Sequence, residues 1–440
     1  MLNQEENLKP RDIYLKKLIA FQDKEPVKVI TGIRRCGKSK LLLLMQKHLL
    51  DSGIDKRQIL AMNFESLEYA NMDYLSFYSY VKEHIVPGKR MYLFFDELQR
   101  IDRWEEAVNS FRVDFDCDVY ITGSCAYLLS SEYATYLSGR YVEIKVYPLS
   151  FKEFISFHDY RCEKYTAPGG ELKTRVKASN GEIVTLADLF DAYMRFGGFP
   201  GIADVGLVLD SAMTLLDGVY LTVVVRDILE RERRREQRQI TDAELLKKIV
   251  LFLADNVGNN TSLNSVSNTL VSEKMLKNRS IKGKPAVQTI AAYVRALLES
   301  YLFYDVKRFD VKGKEYLRTL GKYYIVDIGM RNYLLGFRNR DVGHALENVV
   351  YLELLRRGYD VAVGKIDNTE VDFIAANANE KKYIQVTESM LSEDVAAREL
   401  APLKKIKDNY PKQILSLYPG MNSSYDGIRS DSLIDWLLSD

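Results

Sequence analysis

The chain has 440 residues, 47% of them hydrophobic, enough to core two to four domains. Lys plus Arg number 62 against 61 Asp plus Glu, so there is no global pull toward nucleic acid or an anionic surface, and any basic patch must be local. No run of 18 apolar residues offers a transmembrane helix, and the polar segment 1–10 lacks a signal-peptide core; four cysteines without CxxC spacing point to a reducing cytoplasm, not to a disulfide or zinc framework.

Residues 11–22 carry Ile13, Leu15, Leu18 and Ile19 at helical spacing. Val27–Thr31 then reads as a short apolar strand and Lys40–Leu50 as a helix. Between them stands Gly32-Ile33-Arg34-Arg35-Cys36-Gly37-Lys38-Ser39, which fits G-x-x-x-x-G-K-[ST] in the strand-to-helix context that the phosphate-cradling P-loop requires. Backbone N–H groups and a helix N-terminus there converge on one anion-attracting point. The spacing assigns residues 32–40, from Gly32 to Lys40, to nucleotide binding. Lys38 would reach the β- and γ-phosphates, and the Ser39 hydroxyl would bind Mg²⁺. The bland alternative is a Gly-rich turn without a ligand.

Gln58–Glu65 is a second strand and Asp73–Ile85 a helix. Met91–Phe95 is an uninterrupted apolar run, as expected of a strand buried on both faces, and it ends in Asp96-Glu97. Such a pair is often a solvated strand end. Downstream of a P-loop it reads as the carboxylates that hold Mg²⁺ (Asp96) and orient and deprotonate the attacking water (Glu97). Trp104–Phe111 reads as a helix and Asp118–Ser124 as a fourth strand, whose exit offers Thr122 and Ser124 as polar groups facing a γ-phosphate. A hydroxyl there is more often only a cap. Ser138-Gly139-Arg140 precedes a fifth strand, Tyr141–Val146. Taken alone, Arg140 reads equally well as a surface arginine.

The order GIRRCGKS, LFFDE, ITGS, LSGRY, YPLSFKEF, with the later Phe196-Gly197-Gly198-Phe199-Pro200 and Arg226-Asp227-Ile228-Leu229, resembles the bacterial and archaeal AAA+ superfamily ATPases in which the ATPase core precedes a domain of unknown function. The resemblance covers nearly the whole chain. It implies a five-stranded parallel sheet flanked by helices, a polar sensor at Thr122 or Ser124, and Arg140 as a phosphate-sensing or finger arginine. Cys125 departs from the Asn or Ser more usual there, which blurs which residue is the sensor.

Beyond the core, Phe151–His158 should be a helix and residues 159–184 a loop or small insertion with turns at Pro168-Gly169-Gly170 and Asn180-Gly181. Leu186–Phe196 resumes a helix. A helical segment over 212–238 ends with five arginines within residues 231–238, which suits a solvated face tied by i,i+4 pairs better than a phosphate contact. Residues 241–335 read as three helices and a two-stranded ribbon, a winged helix-turn-helix pattern. Its third helix, 287–300, shows an outer stripe of only Gln288, Ala292, Arg295 and Glu299, poor in donors for base edges. The basic Lys274, Lys277, Arg279, Lys282 and Lys284 lie in the preceding loop. In residues 339–440 a helix with Glu347, a strand with Asp372 and a strand with Gln385-x-Thr387 resemble the restriction-endonuclease-like fold. Active members carry a lysine where Thr387 stands and usually an acid where Gln385 stands, so catalytic degeneracy is expected.

The expected fold is α/β: an AAA+ type P-loop parallel sheet, a helical and winged-helix region, then a small restriction-endonuclease-like domain. The expected divisions are 1–158, 159–240, 241–338 and 339–440. The expected activity is Mg²⁺-dependent hydrolysis of ATP to ADP, with nucleotide state coupled to the later modules. The competing readings are a nucleotide-gated DNA- or protein-binding regulator with little turnover and an ATP-dependent nuclease. A DNA or protein partner and a homo-oligomer are left open; a membrane partner is not expected.

Overall fold

The computed structural model describes residues 8–124, 139–166, 170, 172–230, 240, 242–272, 286–338, 342–420 and 422–439. The arginine run 231–238, the basic loop from Lys274 to Lys284, Cys125 and Ser138 lie outside the described residues. The chain divides into two compact units, residues 1–146 with 299–301, and residues 147–298 with 302–440. No helix among the described residues is long and apolar enough to cross a membrane.

The first unit is built on β1 (Val27–Thr31), β2 (Ile59–Asn63), β3 (Met91–Asp96), β4 (Cys117–Gly123) and β5 (Tyr141–Lys145), with α1 (Asp12–Ala20), α2 (Lys38–Asp51), α3 (Tyr74–Glu83) and α4 (Trp104–Asp114). All four strand pairings are parallel, in the order β2-β3-β4-β1-β5. β1 and β3 are buried at every position, which is why both read as unbroken apolar runs and not as alternating ones. Val27 and Val29 of β1 and Leu93 and Phe95 of β3 join Phe77 and Val81 of α3 and Val108 and Phe111 of α4 in one core. Phe77 lies edge-on to Phe95 at 4.8 Å and to Phe111 at 5.1 Å, within the favoured range for aromatic pairs.

The odd feature of this sheet is Lys28, a lysine in the middle of a buried strand. Its ammonium pairs with Asp118 of β4 and donates to the Lys24 carbonyl at 2.8 Å. Asp118 Oδ2 in turn accepts from the Asp23 N–H at 2.8 Å and the Tyr120 hydroxyl at 2.9 Å. Burial pushes the Lys28 pKa down, and Asp118 opposes the shift. A buried charge pair persists only when its remaining hydrogen-bond sites are met, as they are here. The pair ties β1 to β4 near their N-terminal ends, so both strands deliver their C-terminal ends to the opposite edge.

In the second unit, the helix Phe151–Phe157 starts with a capping box in which Ser150 and Glu153 satisfy each other's backbone N–H. Within residues 159–184, expected as a loop or small insertion, β6 (Tyr160–Thr166), β7 (Leu172–Ala178) and β8 (Ile183–Val184) form a three-stranded antiparallel sheet. Most described β6 side chains are exposed, so no apolar alternation announced it. Helices Leu186–Phe196, Gly201–Val205 and Leu209–Leu221 follow, the last running into a π-helical stretch, Thr222–Glu230.

The Phe196–Pro200 motif has a local purpose. Gly197 sits at φ 78°, and a Cβ there would stand 2.0 Å from Asp327 Oδ1. Asp327 Oδ2 accepts the Gly198 N–H at 2.6 Å, while its Oδ1 caps the helix Ile328–Leu335 through the Met330 N–H at 3.0 Å. Asn332 donates to the Met194 and Arg195 carbonyls at 2.8 and 2.9 Å. The two glycines thus let a helix end and a helix start share one buried carboxylate, whose pKa burial raises to about 6.

Helices Ala243–Asp255, Leu263–Ser272 and Val287–Glu299 and the ribbon β10 (Phe303–Asp310) and β11 (Glu315–Ile325) appear in the expected order. As the spacing predicts, Ile290, Val294 and Leu297 are buried and Gln288 and Arg295 exposed. The ribbon, however, is not a free wing. β11 pairs with the short β9 (Asn260–Thr261), and β10 pairs in parallel with β12 (Asp360–Ile366). With β13 (Thr369–Ala376), β14 (Lys381–Ser389), β15 (Lys412–Tyr418), β16 (Ser424–Tyr425) and β17 (Ile428–Ser432) they complete one nine-stranded sheet. The division expected at 338 falls inside this sheet, and that expected at 158 falls after the 146/147 break between the units.

Candidate functional site

Parallel strands end at one edge, so the turns leaving β1, β3 and β4 gather there. After Thr31 the chain turns through Gly32 at φ 140°, where a Cβ would stand 2.1 Å from the Val146 carbonyl oxygen. Only glycine allows that approach. Arg35 (φ 62°) and Gly37 (φ 103°) are also left-handed, and Gly37 is the N-cap of α2 with no side-chain cap of its own. The helix N-terminus is therefore open to an outside acceptor. Ile33 and Cys36 are buried, and the buried Arg11 guanidinium braces the loop by donating to the Cys36 carbonyl at 2.9 Å. Burial also raises the Cys36 thiol pKa. Ser39 and Lys40 are exposed at the start of α2.

Lys38 is buried and arches back over its own loop, donating to the Gly32 and Ile33 carbonyls at 2.9 and 3.1 Å. Asp96 ends β3 facing it. Thr122 Oγ1, on β4, donates to Asp96 Oδ1 at 2.5 Å and accepts the Glu97 N–H at 2.9 Å. Burial raises the Asp96 pKa and Glu97 adds to the rise, whereas the bonds from Thr122 and Ser39 and the charge of Lys38 oppose it. Glu97 is left-handed at φ 56°, a conformation costing a side-chain-bearing residue roughly 1–3 kcal/mol. The bend turns the chain out of β3 so that Asp96 and Glu97 both stay at the edge. Glu97 Oε2 lies 3.7 Å from Arg34 Nη2 and 2.6 Å from Gln99 Nε2. Arg34 also pairs with Glu65 at 3.1 Å, and Glu65 with Arg100 at 3.3 Å.

Residues 32–40, Asp96, Glu97, Thr122 and Ser124 thus share one edge, but two roles shift. Thr122, fully buried, is occupied with Asp96 and the Glu97 backbone and does not face outward. Of the two hydroxyls, Ser124 is the one left as sensor candidate; its Oγ lies 3.4 Å from Gln99 Nε2. Arg140 lies elsewhere. Its carbonyl accepts the Val27 N–H at 2.9 Å, and Tyr141 is in register with Val27, the first residue of β1. Four steps of roughly 3.3 Å put it ~13 Å along the strands from the loop edge. Its guanidinium, exposed, contacts Asn109 of α4 at 3.4 Å. A cis role on the nucleotide is therefore corrected: within this chain the arginine lies at the opposite edge of the sheet. The reason was available in the sequence, since a residue before a parallel strand sits at the wrong edge. Arg11 and Gln99 were missed, because neither belongs to a motif that spacing alone defines.

The second unit gathers another polar cluster. Lys322 of β11 donates to Glu347 Oε2 at 3.2 Å and lies 4.0 Å from Asp372 Oδ1 of β13. The Tyr324 hydroxyl donates to Glu347 Oε2 at 3.0 Å, and His344 Nδ1 lies 3.1 Å from Oε1. Burial works against the Glu347 charge, yet His344, Lys322 and Tyr324 hold its pKa below the ordinary value. Burial and the neighbouring Glu347 push Asp372 well up. The two carboxylates are pushed in opposite directions, and one ammonium lies against both. Gln385 spends its amide on Glu399 (3.1 Å) and on the Asp372 N–H (3.3 Å). Lys322 comes from the ribbon, on a strand the sequence did not connect to this site.

Residues 24–155 match the family described as an AAA domain, and residues 187–341 match a domain of unknown function (DUF8612). An uncharacterized protein of Haemophilus influenzae is 39% identical over 430 residues, covering 97% of this chain and 98% of the relative. An uncharacterized protein of Methanocaldococcus jannaschii is 31% identical over 391 residues, covering 87% of this chain and 79% of the relative. Among solved structures, a Walker-type ATPase of Pyrococcus abyssi aligns with a TM-score of 0.44 at 16% identity, over 74% of this chain and 95% of its own. With a parallel sheet that carries the P-loop at its C-terminal edge, the chain belongs with its bacterial and archaeal relatives to one family of AAA-type P-loop ATPases.

Proposed function

We propose that this protein binds ATP at the C-terminal edge of the β1–β5 sheet and hydrolyses it with Mg²⁺. The observation that carries the reading is the convergence there of Lys38, Ser39 and Asp96 with Glu97. The donors fit a polyphosphate: a loop free of obstructing Cβ atoms at Gly32, an uncapped helix start at Gly37, and an ammonium with three donors of which the loop carbonyls take two. When bound, Mg²⁺ would be held by the Ser39 hydroxyl and Asp96 and would offset phosphate charge. Thr122 sets the orientation of Asp96 and anchors Glu97 by its backbone. Glu97 accepts the proton of the attacking water.

The reading extends to coupling. Thr31, the last residue before the loop, donates to Glu143 Oε1 at 2.5 Å, and the Tyr301 hydroxyl lies 3.4 Å from the same oxygen. Tyr301 belongs to the first unit but is covalently continuous with the second on both sides. A shift of the loop on turnover would reach the second unit by that route, and through it any DNA or protein partner. Little turnover would instead suit a regulator; the Glu97 carboxylate next to Asp96 at the loop edge supports the hydrolase reading.

Glu97→Gln should bind ATP with unchanged affinity and release phosphate roughly 10²–10⁴ times more slowly, the usual contribution of a positioned base. Hydrolysis at the wild-type rate would assign the base elsewhere.

Arg140 should act, if on nucleotide at all, from a second copy of the chain. Specific ATPase activity should then rise with protein concentration, and Arg140→Ala should remove the rise, at a cost of roughly 10³–10⁵ in rate. Activity independent of both concentration and Arg140 would leave it a surface arginine.

The second unit should not cut nucleic acid, because a divalent ion would have to displace Lys322, whose ammonium already lies against Glu347 and Asp372, to bind. Supercoiled plasmid and single-stranded DNA should survive incubation with Mg²⁺ or Mn²⁺, with or without ATP. Cleavage that Asp372→Ala abolishes would contradict this.

A further inference from the structure

The turn after Glu97 is tight. Leu98–Arg100 form a single 3₁₀ turn that folds Gln99 back on the residue two before it. Gln99 Nε2 reaches Glu97 Oε2 at 2.6 Å and lies 3.4 Å from Ser124 Oγ. A carboxylate only accepts hydrogen bonds, so the amide nitrogen must be the atom facing Glu97, and the amide oxygen must point the other way. That oxygen, Oε1, is buried and has no hydrogen-bond partner among the described residues. A buried acceptor left unmade is costly and asks for a reason. Here that cost is borne by the same amide whose nitrogen holds Glu97.

We infer that Gln99 is a positioning residue of the hydrolytic site, its amide holding the Glu97 carboxylate in the orientation that takes the proton of the attacking water. The inference rests on the hydrolase reading above. Nε2 fixes Glu97 through Oε2, which Arg34 also faces at 3.7 Å, leaving Oε1 of Glu97 to receive a proton. With one O–H of the water given to Glu97, a lone pair of the water oxygen is directed at the γ-phosphorus. The new O–P bond forms as the bond from that phosphorus to the β,γ-bridging oxygen breaks, its electron pair leaving with ADP. One water proton passes to Glu97; the other remains on the phosphate released. The contact to Ser124 links this pair to the hydroxyl best placed to sense the γ-phosphate.

The test uses the full chain with Gln99→Ala and Gln99→Glu, each alone and Gln99→Ala also in the Glu97→Gln background. ATP affinity is read by calorimetry and turnover by phosphate release. Both single variants should keep wild-type affinity within about twofold and lose roughly 10- to 100-fold in kcat, less than the base itself. Gln99→Glu, equal in shape, should fall at least as far as Gln99→Ala, because it replaces the donor facing Glu97 with a carboxylate. In the Glu97→Gln background, Gln99→Ala should cost less than about twofold more, since the two act as a unit. Wild-type kcat in Gln99→Glu, full additivity with Glu97→Gln, or ATP affinity lost along with turnover would each overturn the inference. If Glu97→Gln itself turns over like wild type, the failure is of the base assignment and not of Gln99 alone.

Discussion

Thr122 is the hinge on which the site depends. Its one hydroxyl donates to Asp96 and accepts from the Glu97 backbone, so a single buried oxygen sets the direction of two consecutive carboxylates. It thereby joins the left-handed bend at Glu97 to the buried Asp96. The strain at Glu97 is met by that bond, and the bend is what lets the next turn bring Gln99 back to the same place. β4 can supply this hydroxyl because it lies between β1 and β3, and the buried Lys28–Asp118 pair locks β4 to β1 near the far ends of both strands. The loop edge and the opposite edge are therefore two ends of one constraint.

The second unit shows a comparable economy around buried carboxylates. Asp327 takes the backbone N–H of Gly198 on one oxygen and caps a helix with the other. Glu347 is surrounded by Lys322, Tyr324 and His344, which replace the solvation it loses. That surrounding matters, because the Lys322 ammonium offsets the carboxylate charge that would recruit a metal.

The features legible in the sequence are those made by neighbours in the chain. Val27–Thr31, the loop to Ser39 and the run into Asp96-Glu97 each combine composition with local spacing, and the strands lie where those signals put them. What was not legible depends on register or on turn geometry. Gln99 stands two residues from Glu97, but its approach needs the left-handed bend. Lys322 reaches Asp372 only because β10 and β12 pair across more than fifty residues of chain. β6 carries mostly exposed side chains and so presents no apolar period. Arg140 was drawn to the site by resemblance alone, against the direction that a parallel sheet imposes.

The account stands or falls on whether the loop edge holds nucleotide through Lys38. Titration calorimetry of ATP into the full chain and into Lys38→Ala decides it. Saturable binding by the wild type and none by the variant is the expected result, since Lys38 is the ammonium that the loop's own carbonyls hold at this edge. Equal affinity in both would contradict the assignment of the site.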